Sequence, residues 1–368
     1  MRITRIEAVP YSIPYRKALK FASGQVTDAD HVLIRVHTDE GITGVADTPP
    51  RPYTYGETQH SIVAVVERIF APALEGVNPF ERSKVQQVLG RTIGNNTAKG
   101  GIDIALWDII GQATVTPVTT LLGGFTDSMR VSHMLGFASA QELLDEALHM
   151  RTDYGISTFK LKVGRRPLGL DIEACHVLRE GLGEDVDLYL DANRGWTANE
   201  ALEVLRQTAD VGLSLLEEPC DAKEVMSRRR LVDKSPIPVV GDESVPTPGD
   251  VSRELLSGGC NAISIKTARS GFTEAQQILG LCEGLGVDVV MGNQIDTQIG
   301  TLATVTFGSA FAATTRRAGE LSNFLDMSDD LLAEPLVIRD GAISARRVPG
   351  VGAVIDDDKL TRYRQDKD

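Results

Sequence analysis

The chain has 368 residues, 42% of them hydrophobic and 24% charged, a balance that fits a globular protein of two domains or of one large α/β domain with an accessory part. Its 51 acidic against 38 basic side chains leave a net charge of −13, which argues against non-specific nucleic-acid binding. No apolar run reaches the roughly 18 residues of a membrane helix. The opening MRITRIEAVPYSIPY lacks a charged-then-apolar leader pattern, and Cys175, Cys220, Cys260 and Cys282 form no Cys-x-x-Cys pair, so a cytoplasmic chain with free thiols is expected.

The first third reads as α+β. RITRIEAVPYSI and DHVLIRVHTDEGITGVAD have strand character, the second with a turn at Asp39-Glu40-Gly41. GETQHSIVAVVERIFAPAL, PFERSKVQQVLGRTI and AKGGIDIALWDIIGQATV follow as helices, the last apolar nearly all round and therefore expected to be buried. TTLLGG closes this part near Gly124.

From Val131 the rhythm changes. The apolar runs VSHMLGF, TFKLKVG, VDLYLDANRGW, LSLLEEP, IPVVGDES, AISIKTARSG and VDVVMGNQ alternate with helical stretches such as ANEALEVLRQTAD and TEAQQILGLCEGLG. Steps of 29, 26, 25 and 24 residues separate Lys162, Asp191, Glu217, Asp242 and Lys266, the length of one βα unit. Sustained alternation predicts a parallel (β/α) barrel. A doubly wound open sheet competes, but no Gly-x-Gly-x-x-Gly or P-loop pattern follows any of these runs.

Each unit carries a charged residue where its apolar run ends: Lys160 and Lys162, then Asp191, Glu217, Asp242 and Lys266. Strand C-termini of a barrel converge on one mouth. Three carboxylates there suit an oxygen-liganded Mg²⁺ or Mn²⁺ better than zinc. Lys160 and Lys162, two residues apart on a strand, share a face, so each is expected to ease loss of the other's proton. Taken singly, these motifs have ordinary readings: KLK is a solvated strand end, LEEP and GDES are helix starts, and DANRG is a capped turn. Their recurrence at the same point of a repeating unit favours a shared site.

Together with DEGITGVAD and GGIDIALWDIIGQATVTPVTTLLGG, the runs GISTFKLKVG, DLYLDANRGW, LLEEP, VVGDES and ISIKTARSGF resemble the muconate-lactonizing subgroup of the enolase superfamily over nearly the whole chain. The resemblance implies an α+β capping domain over residues 1–125, a modified (β/α)7β TIM-like barrel over 126–325, and a C-terminal segment, 326–368, packed back on the cap. It implies that Asp191, Glu217 and Asp242 ligate Mg²⁺ or Mn²⁺, that Lys162 and Lys266 are acid/base groups on opposite faces of the substrate, that Lys160 assists them and holds the substrate carboxylate, and that Glu320 is the acid of the last barrel strand. Substrate contacts are expected from Lys160, Asn193, Gln294 and Asp296, and from Tyr53 and Tyr55 in RPYTYGET, a loop that with FASGQV would close over the substrate. A homo-oligomer acting on a small carboxylate is usual in the family.

The implied chemistry passes through a metal-stabilised enolate of a carboxylate substrate, with lysine moving the α-proton. MGNQIDTQIGT is similar to the muconate cycloisomerase pattern, with Asp296 where that pattern has Glu. GELSNFLDMSDDLL looks more like the cycloisomerase ending than the Asp-x-Asp motif of dipeptide epimerases. Lactonisation of cis,cis-muconate is therefore the expected reaction, with Lys162 favoured as the acid because Lys160 lies beside it. o-Succinylbenzoate synthesis, N-acylamino acid racemisation and dipeptide epimerisation are alternatives within the subgroup. A non-catalytic metal-binding protein is a more distant one, disfavoured because all six charged strand-end positions are intact.

Overall fold

The computed structural model describes residues 1–21 and 24–366. Ala22 and Ser23, at the centre of the FASGQV loop, lie outside the described residues. The N-terminal part is a three-stranded antiparallel sheet of β1 (Ile3–Phe21), β2 (Gly24–Thr38) and β3 (Thr43–Thr48), in the order β1-β2-β3. Tyr11 stands opposite His31, and Val36 opposite Gly44. Consecutive residues Val32, Leu33 and Ile34 of the middle strand are all fully buried, so this sheet is covered on both faces.

The GETQHSIVAVVERIFAPAL stretch folds as helix Gln59–Val65, a π-helical turn Val66–Phe70 and helix Ala71–Leu74 in direct succession. The apolar helix Asn96–Ala113 is buried along most of its length, as its all-round hydrophobicity predicts. It is wedged between cap and barrel. A Cβ on Gly44 would collide with the Ala105 carbonyl oxygen, and one on Gly100 would lie 2.7 Å from the Ala268 carbonyl oxygen, so glycine is what allows both approaches. Its two buried acids act as ties. Asp103 accepts the Phe272 and Thr273 N–H groups at 2.8 and 2.9 Å, capping the barrel helix Thr267–Leu285 where it breaks at Gly271 (φ 60°). Asp108 accepts the N–H groups of Val45 at 3.1 Å and of Val351 at 2.7 Å.

The barrel strands are β4 (Ser128–Leu135), β5 (Thr158–Lys162), β6 (Asp187–Asp191), β7 (Leu216–Glu217), β8 (Val239–Gly241), β9 (Ala262–Ile265), β10 (Asp288–Met291) and β11 (Gly319–Glu320). All pair in parallel, in sequence from β4 to β10, with β11 beside β4, which makes an eight-stranded, nearly closed barrel. A helix follows each of the first seven strands, from Ala140–Tyr154 to Gln298–Gly308. Side chains alternate as the two-residue period demands. Tyr189, Leu215, Val240, Ala262 and Val290 form a separate apolar cluster in the barrel interior, while Leu188, Leu190, Ile263 and Ile265 join the large core shared with the helices. Two residues beyond Tyr189, Leu215 and Val240 on the same inward face stand Asp191, Glu217 and Asp242.

β12 (Ala342–Ser344) pairs antiparallel with the outer part of β4, and helix Asp357–Tyr363 follows. The Gln365 N–H then donates to the Pro10 carbonyl at 2.8 Å, which brings the C-terminal stretch onto the cap sheet. Among the described residues no helix is long and apolar enough to cross a membrane.

Candidate active site

The parallel register sets Lys162 opposite Asp191 and Asp191 opposite Glu217, which gathers the strand ends at one mouth. The Lys160 ammonium sits among the acids: 2.8 Å from Asp191 Oδ2, 2.9 Å from Glu217 Oε1 and 2.6 Å from Glu320 Oε1. Lys162 donates to Asp191 Oδ2 at 2.6 Å and to Asn193 Oδ1 at 2.7 Å. Lys266 donates to Asp242 Oδ2 at 2.6 Å. Lys160, Lys162, Asn193, Asp242, Lys266 and Glu320 close a small cavity of about 80 Å³, walled also by Arg51, Tyr53, Tyr55, Arg194, Gln294 and Asn323.

The expected easing of the Lys160 proton by its neighbour Lys162 meets a stronger field. Burial alone would lower the Lys160 ammonium, but Asp191, Glu217 and Glu320 outweigh it and hold it well above the ordinary lysine value. Three carboxylates against one neighbouring lysine decide the sign. Burial opposes ionisation of Asp191, yet Lys160 and Lys162 hold its carboxyl at about 2. Burial pushes the Glu217 carboxyl well above its usual range against the pull of Lys160, with the charges of Asp191, Glu320 and Asp242 adding to the push.

Among the described residues no three His, Cys, Asp or Glu side chains stand as a ready-made metal cage. The residues still fit a divalent cation. Glu217 Oε2 is buried without a hydrogen-bond partner, and the donor set of Asp191, Glu217 and Asp242 is all carboxylate oxygen.

Asn193, Gln294, Tyr53 and Tyr55 reach the cavity wall as expected, Tyr53 from an exposed rim. Asp296 does not. Asn293 Oδ1 accepts the Ile295 and Asp296 N–H groups at 2.5 and 3.0 Å, and Ile295 takes φ 65°, which turns Gln294 inward and Asp296 away. Asp296 is buried near Asp47 and His31, and burial pushes its carboxyl up to about 7, with the Asp47 charge adding.

Several functional-site neighbours carry no separate signal in the sequence. The second acid of LEEP, Glu218, is fully buried, adopts φ 35° and pairs with the equally buried Arg228 at 2.7 Å. Its other oxygen accepts the Asp242 N–H at 2.6 Å and the Ser244 hydroxyl at 2.9 Å, which ties the β7 and β8 ends together. Arg269 donates to Asp242 Oδ1 at 2.9 Å and to the Tyr55 hydroxyl, joining an acid of the barrel to the cap loop. The doubled Glu of LEEP and the Arg of KTARSG are the only marks these leave in the chain.

Residues 142–359 match the family model "Enolase C-terminal domain-like", and residues 4–123 match "Mandelate racemase / muconate lactonizing enzyme, N-terminal domain". The chain is 57% identical to a muconate lactonizing enzyme from Mucobacterium smegmatis whose structure was solved in complex with muconolactone, with a TM-score of 0.98 and full coverage of both chains. It is 30% identical to muconate cycloisomerase 1 of Pseudomonas putida over 98% of each chain. It is also similar, at 26% identity and a TM-score of 0.90 over 96% of this chain and 99% of the other, to a dipeptide epimerase from Enterococcus faecalis solved with Mg and the dipeptide L-Leu-L-Tyr.

Proposed function

The chain belongs to the mandelate racemase / muconate lactonizing enzyme family of the enolase superfamily, whose relatives of this chain are isomerase-type enzymes, and we propose that its own reaction is the lactonisation of cis,cis-muconate to muconolactone. The observation that carries this reading is the full-length likeness to the muconolactone-bound enzyme, at about twice the identity of the epimerase likeness.

In this reading one substrate carboxylate lies at the barrel mouth against Asp191, Glu217 and Asp242, which would hold Mg²⁺ or Mn²⁺. A divalent cation there supplies positive charge that favours extra negative charge on that carboxylate. Lys160, kept charged by its acids, adds a second positive group on the same side. An oxygen of the other carboxylate forms a C–O bond to the remote double bond, and the displaced electron pair moves to the carbon α to the first carboxylate. That carbon takes one proton from Lys162 or Lys266, whichever faces it. The other lysine stays a cation beside the developing charge. Glu320 and Asn193 position Lys160 and Lys162 through the contacts at 2.6 and 2.7 Å.

A panel of cis,cis-muconate, N-acyl amino acids, dipeptides and the o-succinylbenzoate precursor tests the assignment. Loss of muconate ultraviolet absorbance with formation of muconolactone is the expected result. Inertness toward muconate combined with racemisation, epimerisation or dehydration of another member would hand the assignment to that reaction.

A further inference from the structure

Beyond the small inner cavity lies an outer chamber of about 450 Å³ between the cap strands and the 49–60 stretch. The two share one wall: Arg51, Tyr53, Thr54, Gln294 and Ile295. Two side chains in that wall have polar groups without a hydrogen-bond partner among the described residues. Arg51 is half-buried, and its guanidinium makes no hydrogen bond and no ion pair among the described residues. Gln294 is 2% exposed, yet both its amide oxygen and its amide nitrogen lack a partner. A buried amide left wholly unsatisfied costs free energy unless something else completes it.

The other lysine and arginine side chains lining these cavities are already engaged. Lys160, Lys162 and Lys266 are held by Asp191, Glu217, Glu320 and Asp242, and Arg194 stands 3.9 Å from Glu243. The outer chamber also presents Asp28 and Asp30, which disfavour an anion deeper within it. The loop Pro49-Pro50-Arg51-Pro52 is stiffened by its prolines, and the Arg51 carbonyl accepts the N–H groups of Thr54, Tyr55 and Gly56 at 3.1, 2.8 and 3.1 Å. The guanidinium is therefore presented from a preformed turn.

We propose that Arg51 and Gln294 receive the second carboxylate of a dicarboxylate substrate at this shared wall and so select short diacids over acids with a single carboxylate. The assignment rests on the muconate reading and deepens it. Arg51 supplies a charge-assisted contact, and the Gln294 amide donates a neutral one. Ring closure converts that second carboxylate into an uncharged lactone, so the grip at Arg51 weakens in the product while the contact at the lysines and acids persists. Arg51 thus favours both diacid entry and lactone exit.

The experiment compares the magnesium-loaded wild type with Arg51→Gln, Arg51→Lys and Gln294→Leu, each checked by thermal melting. Arg51→Gln should raise KM for cis,cis-muconate by about 10- to 100-fold, the range for losing a hydrogen bond to a charged group, while inhibition by muconolactone stays within about twofold. Arg51→Lys should recover part of the loss, and Gln294→Leu should show a smaller one. An unchanged KM in Arg51→Gln, or muconolactone binding that falls in step with KM, overturns the proposal. If the wild type does not turn over muconate, the reaction assignment fails, and calorimetric binding of adipate against hexanoate still decides the receiver. A wild-type preference for adipate that Arg51→Gln abolishes supports it, and no preference in the wild type overturns it.

Discussion

Arg228→Met tests whether the buried Glu218–Arg228 pair is what aligns the acids at the barrel mouth. Both side chains are 0% exposed and meet at 2.7 Å. The variant strands the Glu218 carboxylate in the core, and removing one partner of a buried pair costs about 3–5 kcal/mol because the remaining charge is uncompensated. The guanidinium also donates to the Cys220 carbonyl at 2.6 Å and the Gly259 carbonyl at 2.8 Å, so the loss should fall toward the upper part of that range. Adding Glu218→Gln removes the stranded charge while keeping an acceptor near the Asp242 and Ser244 N–H groups. The double variant should then be more stable than Arg228→Met alone by about 1–3 kcal/mol. Because Glu218 accepts the Asp242 N–H at 2.6 Å, the single variant should also bind Mg²⁺ more weakly. Urea unfolding followed by circular dichroism, with Mg²⁺ calorimetry on the folded protein, reads both effects. A loss below about 1 kcal/mol in Arg228→Met, or a double variant no more stable than the single, would refute the reasoning.

Asp242→Asn should weaken Mg²⁺ or Mn²⁺ binding measured by calorimetry, and full turnover after exhaustive chelation would sink the metal assignment. In D₂O the lactone should carry deuterium at a single stereochemical position; Lys162→Ala and Lys266→Ala should both lose net turnover, but only the variant lacking the acid should abolish solvent-proton exchange, and equal deuterium on both faces would defeat a one-acid mechanism. Asp296 binds its proton more tightly folded, at about 7, than an ordinary aspartate near 4, so its burden on stability is absent below about pH 4, grows as pH rises and is complete above about pH 7. Asp296→Asn should therefore raise the melting temperature at pH 8, by the equivalent of about 1–3 kcal/mol, and leave it nearly unchanged at pH 4; a gain equal at both values contradicts the titration.

Much of the architecture was legible in the chain because it rests on local periodicity. The two-residue alternation of TFKLKVG and VDLYLDANRGW, the βα spacing and the all-round apolar helix Asn96–Ala113 each follow from which faces must leave water, and the barrel and cap obey them. The strand-end positions of Lys160, Lys162, Asp191, Glu217, Asp242 and Lys266 were legible for the same reason: a parallel barrel brings every strand end to one mouth. Partnership was not legible, since it depends on residues far apart in sequence meeting in three dimensions. Only the folded chain shows that Lys160 answers three carboxylates rather than its neighbour Lys162, that the turn at Ile295 sends Gln294 inward and Asp296 into the cap interface, and that Arg228 and Arg269 are spent on Glu218 and Asp242 while Arg51 is left facing the cavity. A side chain's type and spacing set which face it occupies; the charge and hydrogen-bond balance around it, which sets its protonation and its availability to a ligand, is a property of the packed neighbourhood.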